Sequence, residues 1–368
     1  MNVYKSFAFT VIGGSHIKHG IECQDACAHE TNTDMSIAVV ADGHGDDNCF
    51  RSAKGSKLAA ACATRGIKSF IDYLNEPEEK PKLWQKAKPR KDELSKEEVE
   101  KVLKERLIRD GIIRAWYRLI AEDFTNNPVT EDELKNVGEK YLKQYQEGQN
   151  FHHIYGATLI AAAITKDFWF GFHIGDGRLT ALYPDGSFDQ PVPWDNKCNL
   201  NVTTSICDED ADKDARSYFS FHAAKRPPAA VFLCTDGIDD NYPVEGNEKH
   251  LFKLYRTIAI TFAEDGFEST CKQLKDLTNS FATKGKGDDT SIALLINMEA
   301  VKKTVPVWKK QIEEEEKDTV KKAAREEPQI ITEKETDKPE ISAAQKAIAA
   351  YQKQMNLFGK FIKSSSNP

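Results

Sequence analysis

The sequence lacks any run of about 20 apolar residues, the length that an α-helix needs to cross a bilayer. Its first 20 residues also lack the basic start and apolar middle of a secretion signal. Eight cysteines are scattered through 368 residues without a C-x-x-C pair, so neither a disulfide scaffold nor a thiolate metal site is indicated. These absences predict a cytoplasmic protein with reduced thiols and no membrane contact.

The chain also lacks a surplus of positive charge. Residues 301–368 hold 14 Lys and Arg against 11 Asp and Glu, whereas residues 1–300 hold 37 against 47. Nucleic-acid binding needs clustered positive charge that displaces counterions from phosphates, and the acidic body does not provide it. No nucleic-acid partner is therefore expected, but acidic clusters that hold divalent cations are compatible with this charge.

What is present is a chain long enough for one large domain with an appendage, since 40% of its residues are hydrophobic. Short apolar runs predict strands, longer stretches with helical spacing predict helices, and residues 189–226 have no clear period. Two Ser/Thr-x-x-Glu pairs, Ser95 with Glu98 and Thr130 with Glu133, are typical of capping boxes at helix starts. The predicted strands cover residues 1–10, 36–41, 158–165, 168–174, 179–183, 229–234 and 291–298, and the predicted helices cover residues 53–74, 95–124, 130–141, 249–263 and 267–281. This order favours an α+β or layered domain over regular βαβ alternation.

The character of the chain changes after residue 300. Glu313–Glu316, lysine-rich runs and two prolines follow, so residues 1–300 are interpreted as the folded body and residues 301–340 as a charged linker. Residues 341–368 are predicted to form an amphipathic helix, because apolar residues recur there at alternating three- and four-residue spacing. That helix is expected to dock on its own body, on a partner or on a second copy.

Three apolar runs end in the same dipeptide, as Asp42-Gly43, Asp176-Gly177 and Asp236-Gly237. A single Asp-Gly is more often an ordinary turn than a site. However, Asp288 and Asp289 stand just before the last predicted strand. If that strand is antiparallel to a neighbour, its beginning lies beside the neighbour's end and the acids converge. Together with Asp25, the repeated pattern predicts a metal site.

Clustered carboxylates must take up protons or bind cations, because like charges close together raise each other's cost of ionisation. Oxygen ligands without supporting histidines or thiolates favour hard ions such as Mg²⁺ or Mn²⁺. Two such ions about 4 Å apart can share a water whose pKa falls enough to supply hydroxide near neutral pH. This chemistry is suited to attack on phosphorus.

The motifs as an ordered set resemble the metal-dependent type-2C (PPM-type) serine/threonine protein phosphatases, particularly the bacterial branch. The resemblance covers roughly residues 7–298. It rests on Gln24-Asp25-Ala26, Val40-Ala41-Asp42-Gly43-His44-Gly45, Gly156-Ala157-Thr158, Ile174-Gly175-Asp176-Gly177-Arg178, Cys234-Thr235-Asp236-Gly237-Ile238-Asp239-Asp240 and Gly287-Asp288-Asp289-Thr290-Ser291.

The resemblance implies a four-layer α-β-β-α sandwich, in which two antiparallel sheets are flanked by helices and two Mn²⁺ or Mg²⁺ ions lie at one end. Asp42 would bridge both ions, the Gly43 carbonyl would complete one, and Asp236 and Asp288 would hold the other. Asp25 would orient water from outside the ligand set.

Two further roles come from the same resemblance. Asp176 and Asp240 match positions that hold a weaker third ion in several relatives. His44 matches the proposed general acid for the departing alkoxide, although a buried structural histidine is the other interpretation.

The sequence departs from the family pattern near the substrate. Gln24 replaces a common acidic residue, and Asp289 replaces a common asparagine. A common phosphate-gripping arginine is replaced by Gly20, so Lys18 or His16 is the predicted substitute, with Arg51 as the next candidate.

The predicted function is removal of phosphate from phosphoserine and phosphothreonine of proteins, in signalling opposed by a serine/threonine kinase. One alternative is a catalytically weak or silent scaffold with the same fold that binds a phosphoprotein or a kinase. A second alternative is a different metal-dependent hydrolase, such as a phosphodiesterase.

Overall fold

Two antiparallel sheets of five strands each form the centre of the computed structural model, which describes residues 2–75, 94–198, 202–243 and 246–325. The strands are β1 (Lys5–Val11), β2 (Ala26–Thr31), β3 (Met35–Ala41), β4 (Leu159–Thr165), β5 (Phe168–Ile174), β6 (Arg178–Leu182), β7 (Phe188–Asp189), β8 (Arg216–Phe221), β9 (Ala230–Cys234) and β10 (Thr290–Ile296). Sheet A has the order β1-β10-β9-β6-β7, and sheet B has the order β2-β3-β4-β5-β8.

Helices cover the outer faces of both sheets. They are α1 (Gly14–His19), α2 (Ser52–Asn75), α3 (Leu94–Val102), α4 (Arg114–Asn126), α5 (Glu139–Gln146), α6 (Ala211–Asp214), α7 (Asp236–Asp239), α8 (Asn247–Asp265), α9 (Phe267–Lys284) and α10 (Met298–Arg325). A π-helical stretch, Leu103–Ile113, joins α3 to α4, and short 3₁₀ turns occur at Asp47–Cys49 and Phe151–Tyr155. Within the described ranges, no helix is both long and apolar enough to cross a membrane.

The central strands are buried on both faces, which explains their unbroken apolar runs. In β3, Val39 belongs to a core shared with α2 and the helices after it, while Val40 belongs to the core between the sheets. In β9, Leu233 faces the core between the sheets and Phe232 packs with α8 and α9. Three apolar layers therefore separate four structural layers, which confirms the α-β-β-α sandwich.

Two features differ from the sequence-based expectation. Strands β2 and β8 were not predicted, and both lie at the edges of sheet B. The Thr130–Glu133 capping box does form, with the Thr130 N–H donating to Glu133 and the Glu133 N–H donating to Thr130 Oγ1. It closes a turn, however, and the next helix starts only at Glu139.

Helix α10 crosses the boundary predicted at residue 300. The helix starts before that boundary, and Val301 and Trp308 are fully buried in the core of sheet A. The chain divides into a unit of residues Met1–Glu313 and a second unit of residues Glu314–Pro368, in which the described residues continue the helix to Arg325. The remainder of the predicted linker and the amphipathic helix predicted at residues 341–368 lie outside the described residues.

Candidate active site

The strands bring the predicted acids to one end of the sandwich. Strand β10 is antiparallel to β9, with Ile292 opposite Cys234, so the residues before β10 lie beside those after β9. Asp42 follows β3 in the other sheet. All of them line one cavity of about 830 Å³. The sites after β3, after β9 and before β10 are therefore neighbours, although they are up to 246 residues apart in sequence.

This cavity is strongly acidic. Its permanently positive side chains, within the described part of the chain, are Arg178 and Lys286. Eight carboxylates line it: Asp42, Asp176, Asp236, Asp239, Asp240, Glu248, Asp288 and Asp289. Such an excess of negative charge would repel a phosphate dianion unless cations or protons neutralised it.

Asp42 and Asp236 form the centre of this cluster. Burial and the neighbouring carboxylates Asp25 and Asp236 raise the pKa of Asp42 well above its usual range. Burial and the charge of Asp176 raise the pKa of Asp236 to about 7, although a hydrogen bond with Asp42 opposes the rise. The two carboxyl groups therefore share a proton in the protein alone, because two buried like charges cannot both ionise cheaply.

Asp25 lies behind this pair and is buried, with 3% of its surface exposed. Its Oδ2 accepts a hydrogen bond from Thr235 Oγ1 at 2.9 Å, and Thr235 Oγ1 in turn accepts the backbone N–H of Ser291. Burial raises the pKa of Asp25, and the negative charge of Asp236 raises it further. The hydrogen bonds to Asp25 lower this pKa but do not cancel the rise. Asp25 is thus held rigidly between strands β9 and β10.

The oxygen-rich cluster fits a divalent cation in its chemistry. Asp236 Oδ1 and Asp25 Oδ1 are buried and have no hydrogen-bond partner in the described structure. Buried acceptors without a donor are costly, and a cation satisfies them. The donors are carboxylates and a backbone carbonyl, the ligands that Mg²⁺ and Mn²⁺ prefer.

Gly43 contributes that carbonyl and has no space for a side chain. Its N–H donates to the Gln24 carbonyl at 3.1 Å, and an added Cβ would lie 2.7 Å from the Ser52 carbonyl oxygen. A glycine is therefore required where β3 turns into the site.

The predicted ligands are engaged by neighbouring groups. Asp42 and Asp236 are hydrogen-bonded to each other, and Asp288 Oδ1 accepts the N–H of Asp289 at 2.8 Å. Within the residues described here, no group of three or more His, Cys, Asp or Glu side chains is arranged to hold a metal ion.

Asp289 has a structural role that the sequence did not reveal. It is 2% exposed, and its two oxygens accept the backbone N–H groups of Gly13 at 2.7 Å and Gln24 at 2.6 Å. His16 Nδ1 lies 3.0 Å from Asp289 Oδ1. Asp289 thus fixes the N-terminal segment against the start of β10.

The two residues predicted for a weaker third ion, Asp176 and Asp240, also line the cavity. Asp176 sits between two glycines with left-handed φ values in the β5–β6 turn, and burial raises its pKa. Asp240 follows α7, and its Oδ2 accepts a hydrogen bond from Lys286 Nζ at 2.8 Å.

His44 lines the cavity, and its Cδ2 would lie 2.6 Å from a Cβ added at Gly156. Burial lowers the pKa of His44 to about 4, so the ring is neutral at pH 7 in the protein alone. A general-acid role therefore requires the substrate phosphate to raise this pKa, because an adjacent anion favours the charged ring.

The two predicted phosphate contacts, His16 and Lys18, lie in different environments. His16 lines the cavity, whereas Lys18 is exposed and is not among the residues that line it. The reserve candidate, Arg51, is wrong because its guanidinium is engaged elsewhere. Its Nε donates to Glu133 at 2.7 Å, and its Nη1 donates to Tyr155 Oη at 2.9 Å.

The sequence missed several residues in the cavity wall. Arg178 belongs to one of the motifs that resemble the phosphatase family, but the sequence predicted no role for it. Its Nη2 lies 3.0 Å from Asp239 Oδ2, and its guanidinium lies 3.7 Å from the ring centroid of Trp194. Lys286 directly precedes the Gly287-Asp288-Asp289 motif, and that position was the signal that could have found it. Trp194 lies in a loop outside the motifs, so only a signal of spatial proximity could have found it.

Comparisons with known proteins agree with this chemistry. The family model described as protein phosphatase 2C matches residues 12–277. No match was found among curated protein sequences.

Solved structures similar to this chain include the serine/threonine phosphatase Stp1 from Staphylococcus aureus, with 15% identity, a TM-score of 0.45, and coverage of 80% of this chain and 95% of that one. The catalytic domain of the phosphatase PstP in complex with two manganese ions has 15% identity, a TM-score of 0.42, and coverage of 80% and 98%. A C. elegans sex determining protein has 14% identity, a TM-score of 0.44, and coverage of 83% and 68%. The family match over most of the chain shows that it belongs to the protein phosphatase 2C family of protein serine/threonine phosphatases.

Proposed function

We propose that this chain hydrolyses phosphomonoesters on serine and threonine side chains of proteins, with two Mn²⁺ or Mg²⁺ ions as cofactors. The observation that carries the proposal is the convergence of eight carboxylates around one cavity, with Asp42 and Asp236 paired at its centre. Burying so many carboxylates costs free energy, so a purely structural role does not account for this cluster.

The central carboxylates then have roles based on their positions. Asp42 would bind both ions, and the Gly43 carbonyl would complete the ligands of one of them. Asp236 and Asp288 would hold the other ion, since they adjoin each other across β9 and β10. Asp25, fixed by Thr235, would accept a hydrogen bond from the attacking water.

When bound, the ions supply positive charge for the phosphate oxygens and lower the pKa of the attacking water. The protein's own residues then orient the substrate. His44 is proposed to give a proton to the departing serine or threonine oxygen. His16, one of the two phosphate contacts predicted from the sequence, lines the same cavity. Asp176 and Asp240 are proposed as ligands of a weaker third ion.

The test is manganese-dependent turnover of p-nitrophenyl phosphate and of a phosphothreonine peptide by the full chain and by Asp236→Asn. Loss of one charged ligand should reduce kcat by at least about 100-fold while the melting temperature is retained. Asp276→Asn, an exposed carboxylate on α9 outside the cavity lining, is the matched control and should retain activity.

Three results would contradict the proposal. Wild-type turnover by Asp236→Asn at limiting manganese would remove Asp236 from the ligand set. Phosphopeptide binding by the wild-type chain without any turnover would favour the scaffold alternative, and preference for a phosphodiester over a monoester would favour the phosphodiesterase. The phosphoprotein substrate, an opposing serine/threonine kinase and a cytoplasmic role in signalling remain predictions.

A further inference from the structure

Lys286 stands in the wall of the acidic cavity, between the glycines at 285 and 287. The Gly285 N–H donates to the Phe281 carbonyl at the end of α9, and the Gly287 carbonyl accepts the Ser15 N–H at 2.8 Å. Gly287 has φ +85°, a conformation that favours glycine. The backbone on both sides of Lys286 is therefore held by hydrogen bonds, two residues before the proposed ligand Asp288.

The side chain of Lys286, in contrast, is exposed. It is 61% exposed, and within the described residues its ammonium group pairs with Asp240, whose side chain is itself 52% exposed. An ion pair between exposed groups is weak, because water screens it and two side chains lose entropy in forming it. Lys286 can therefore exchange Asp240 for another anion at little cost.

The other cations in the wall are not available in this way. Arg178 is 14% exposed, pairs with Asp239, donates to the Gly177 carbonyl and stacks on Trp194. His16 is 15% exposed and lies against Asp289, which already accepts two backbone N–H groups. Both are fixed by their own partners.

We propose that Lys286 binds the substrate phosphate and takes the place of the arginine that Gly20 replaces. This inference rests on the proposed function, and it departs from the sequence-based prediction of Lys18 or His16. Lysine binds phosphate as a point charge on a flexible stem, whereas arginine offers a bidentate fork. The ammonium group of Lys286 pairs with Asp240 and exchanges this partner for the phosphate when substrate binds.

The experiment is steady-state kinetics of Lys286→Ala in the full chain with manganese, using p-nitrophenyl phosphate as substrate and inorganic phosphate as competitive inhibitor. A lost contact that is made in both ground and transition states should raise KM and the phosphate inhibition constant together, by roughly tenfold. Lys286→Arg should restore most of the affinity. Lys284→Ala, an exposed lysine two residues earlier, and Lys18→Ala should leave both constants unchanged.

Unchanged KM and phosphate inhibition in Lys286→Ala would overturn the inference, and so would a fall in kcat alone. Equal melting temperatures for Lys286→Ala and the wild type exclude a folding defect. If the wild-type chain has no turnover, the proposed function fails, but calorimetric titration of the manganese-loaded protein with inorganic phosphate still tests Lys286. Weaker phosphate binding by Lys286→Ala would support its role in that case too, and equal binding would refute it.

Discussion

Asp289 shows how one carboxylate organises the entry to the site. The N–H groups of Gly13 and Gln24 both donate to it, so it joins two segments at the beginning of the chain to one near the end of the body. An asparagine, common at this position in the family, has one acceptor oxygen and an NH₂ group that would face the second donor. The departure from the family pattern is therefore explained by local hydrogen bonding.

We expect Asp289→Asn to lower the free energy of unfolding by about 1–3 kcal/mol, because one buried N–H loses its acceptor. Thermal unfolding followed by circular dichroism, with chelator present, measures the effect. Asp288→Asn is the control: it removes a charge from an acidic cluster, and its melting temperature should equal or exceed that of the wild type. If Asp289→Asn and the wild type have the same melting temperature, the N–H groups of Gly13 and Gln24 find other acceptors in the variant.

His44 permits a second test on a single residue. If it gives a proton to the leaving oxygen, His44→Gln should lose at least about 100-fold in kcat on a phosphoserine peptide. It should lose much less on p-nitrophenyl phosphate, because nitrophenolate leaves without a proton. Equal losses on the two substrates would instead assign His44 a structural role beside Gly156.

At the scale of elements, helix α10 is part of the body. Trp308, Thr304 and Val301 have no exposed surface, and Thr304 Oγ1 lies 3.4 Å from the Pro184 carbonyl oxygen. Gln311 Nε2 donates to the Gly186 carbonyl at 3.2 Å. The helix thus covers the turn between β6 and β7 as well as the core of sheet A.

We expect a chain that ends at residue 300 to be insoluble or strongly destabilised, because loss of a buried tryptophan alone costs about 3–5 kcal/mol. A chain that ends at residue 325 should retain the melting temperature and the turnover of p-nitrophenyl phosphate. Full stability of the shorter chain would restore the boundary predicted from the sequence.

The elements also show what the sequence could reveal. The central strands β3, β4, β5 and β9 are buried on both faces, so their apolar runs predicted them closely. Strands β2 and β8 lie at the edges of sheet B and carry polar residues, which weakens the signal. Asp42, Asp176 and Asp236 after strand ends and Asp288 before β10 were predicted from those positions. Asp239, Glu248 and Trp194 also line the cavity, and no local pattern predicted them.

At the scale of the molecule, the proposed cation binding would couple folding to the acidic cavity. A ligand that binds the native state at 100 times its dissociation constant adds about 2.7 kcal/mol to stability. We expect Mn²⁺ or Mg²⁺ to raise the melting temperature of the wild type, whereas an equal ionic strength of KCl should not. The rise should be smaller in Asp236→Asn, and an equal rise would place the bound ion elsewhere.

The pairing of β1 with β10 joins the first and the last strand of the described residues, with Lys5 opposite Ile296. In contrast, β2, β3, β4 and β5 are sequential neighbours in sheet B, so sheet B can begin to form while the chain is still being synthesised. Sheet A cannot be completed until nearly 300 residues have left the ribosome. Contacts between such distant segments slow folding. The proposed site, which takes acids from both sheets, is therefore among the last parts of the body to form, and a nascent chain that ends before Asp288 holds no complete site.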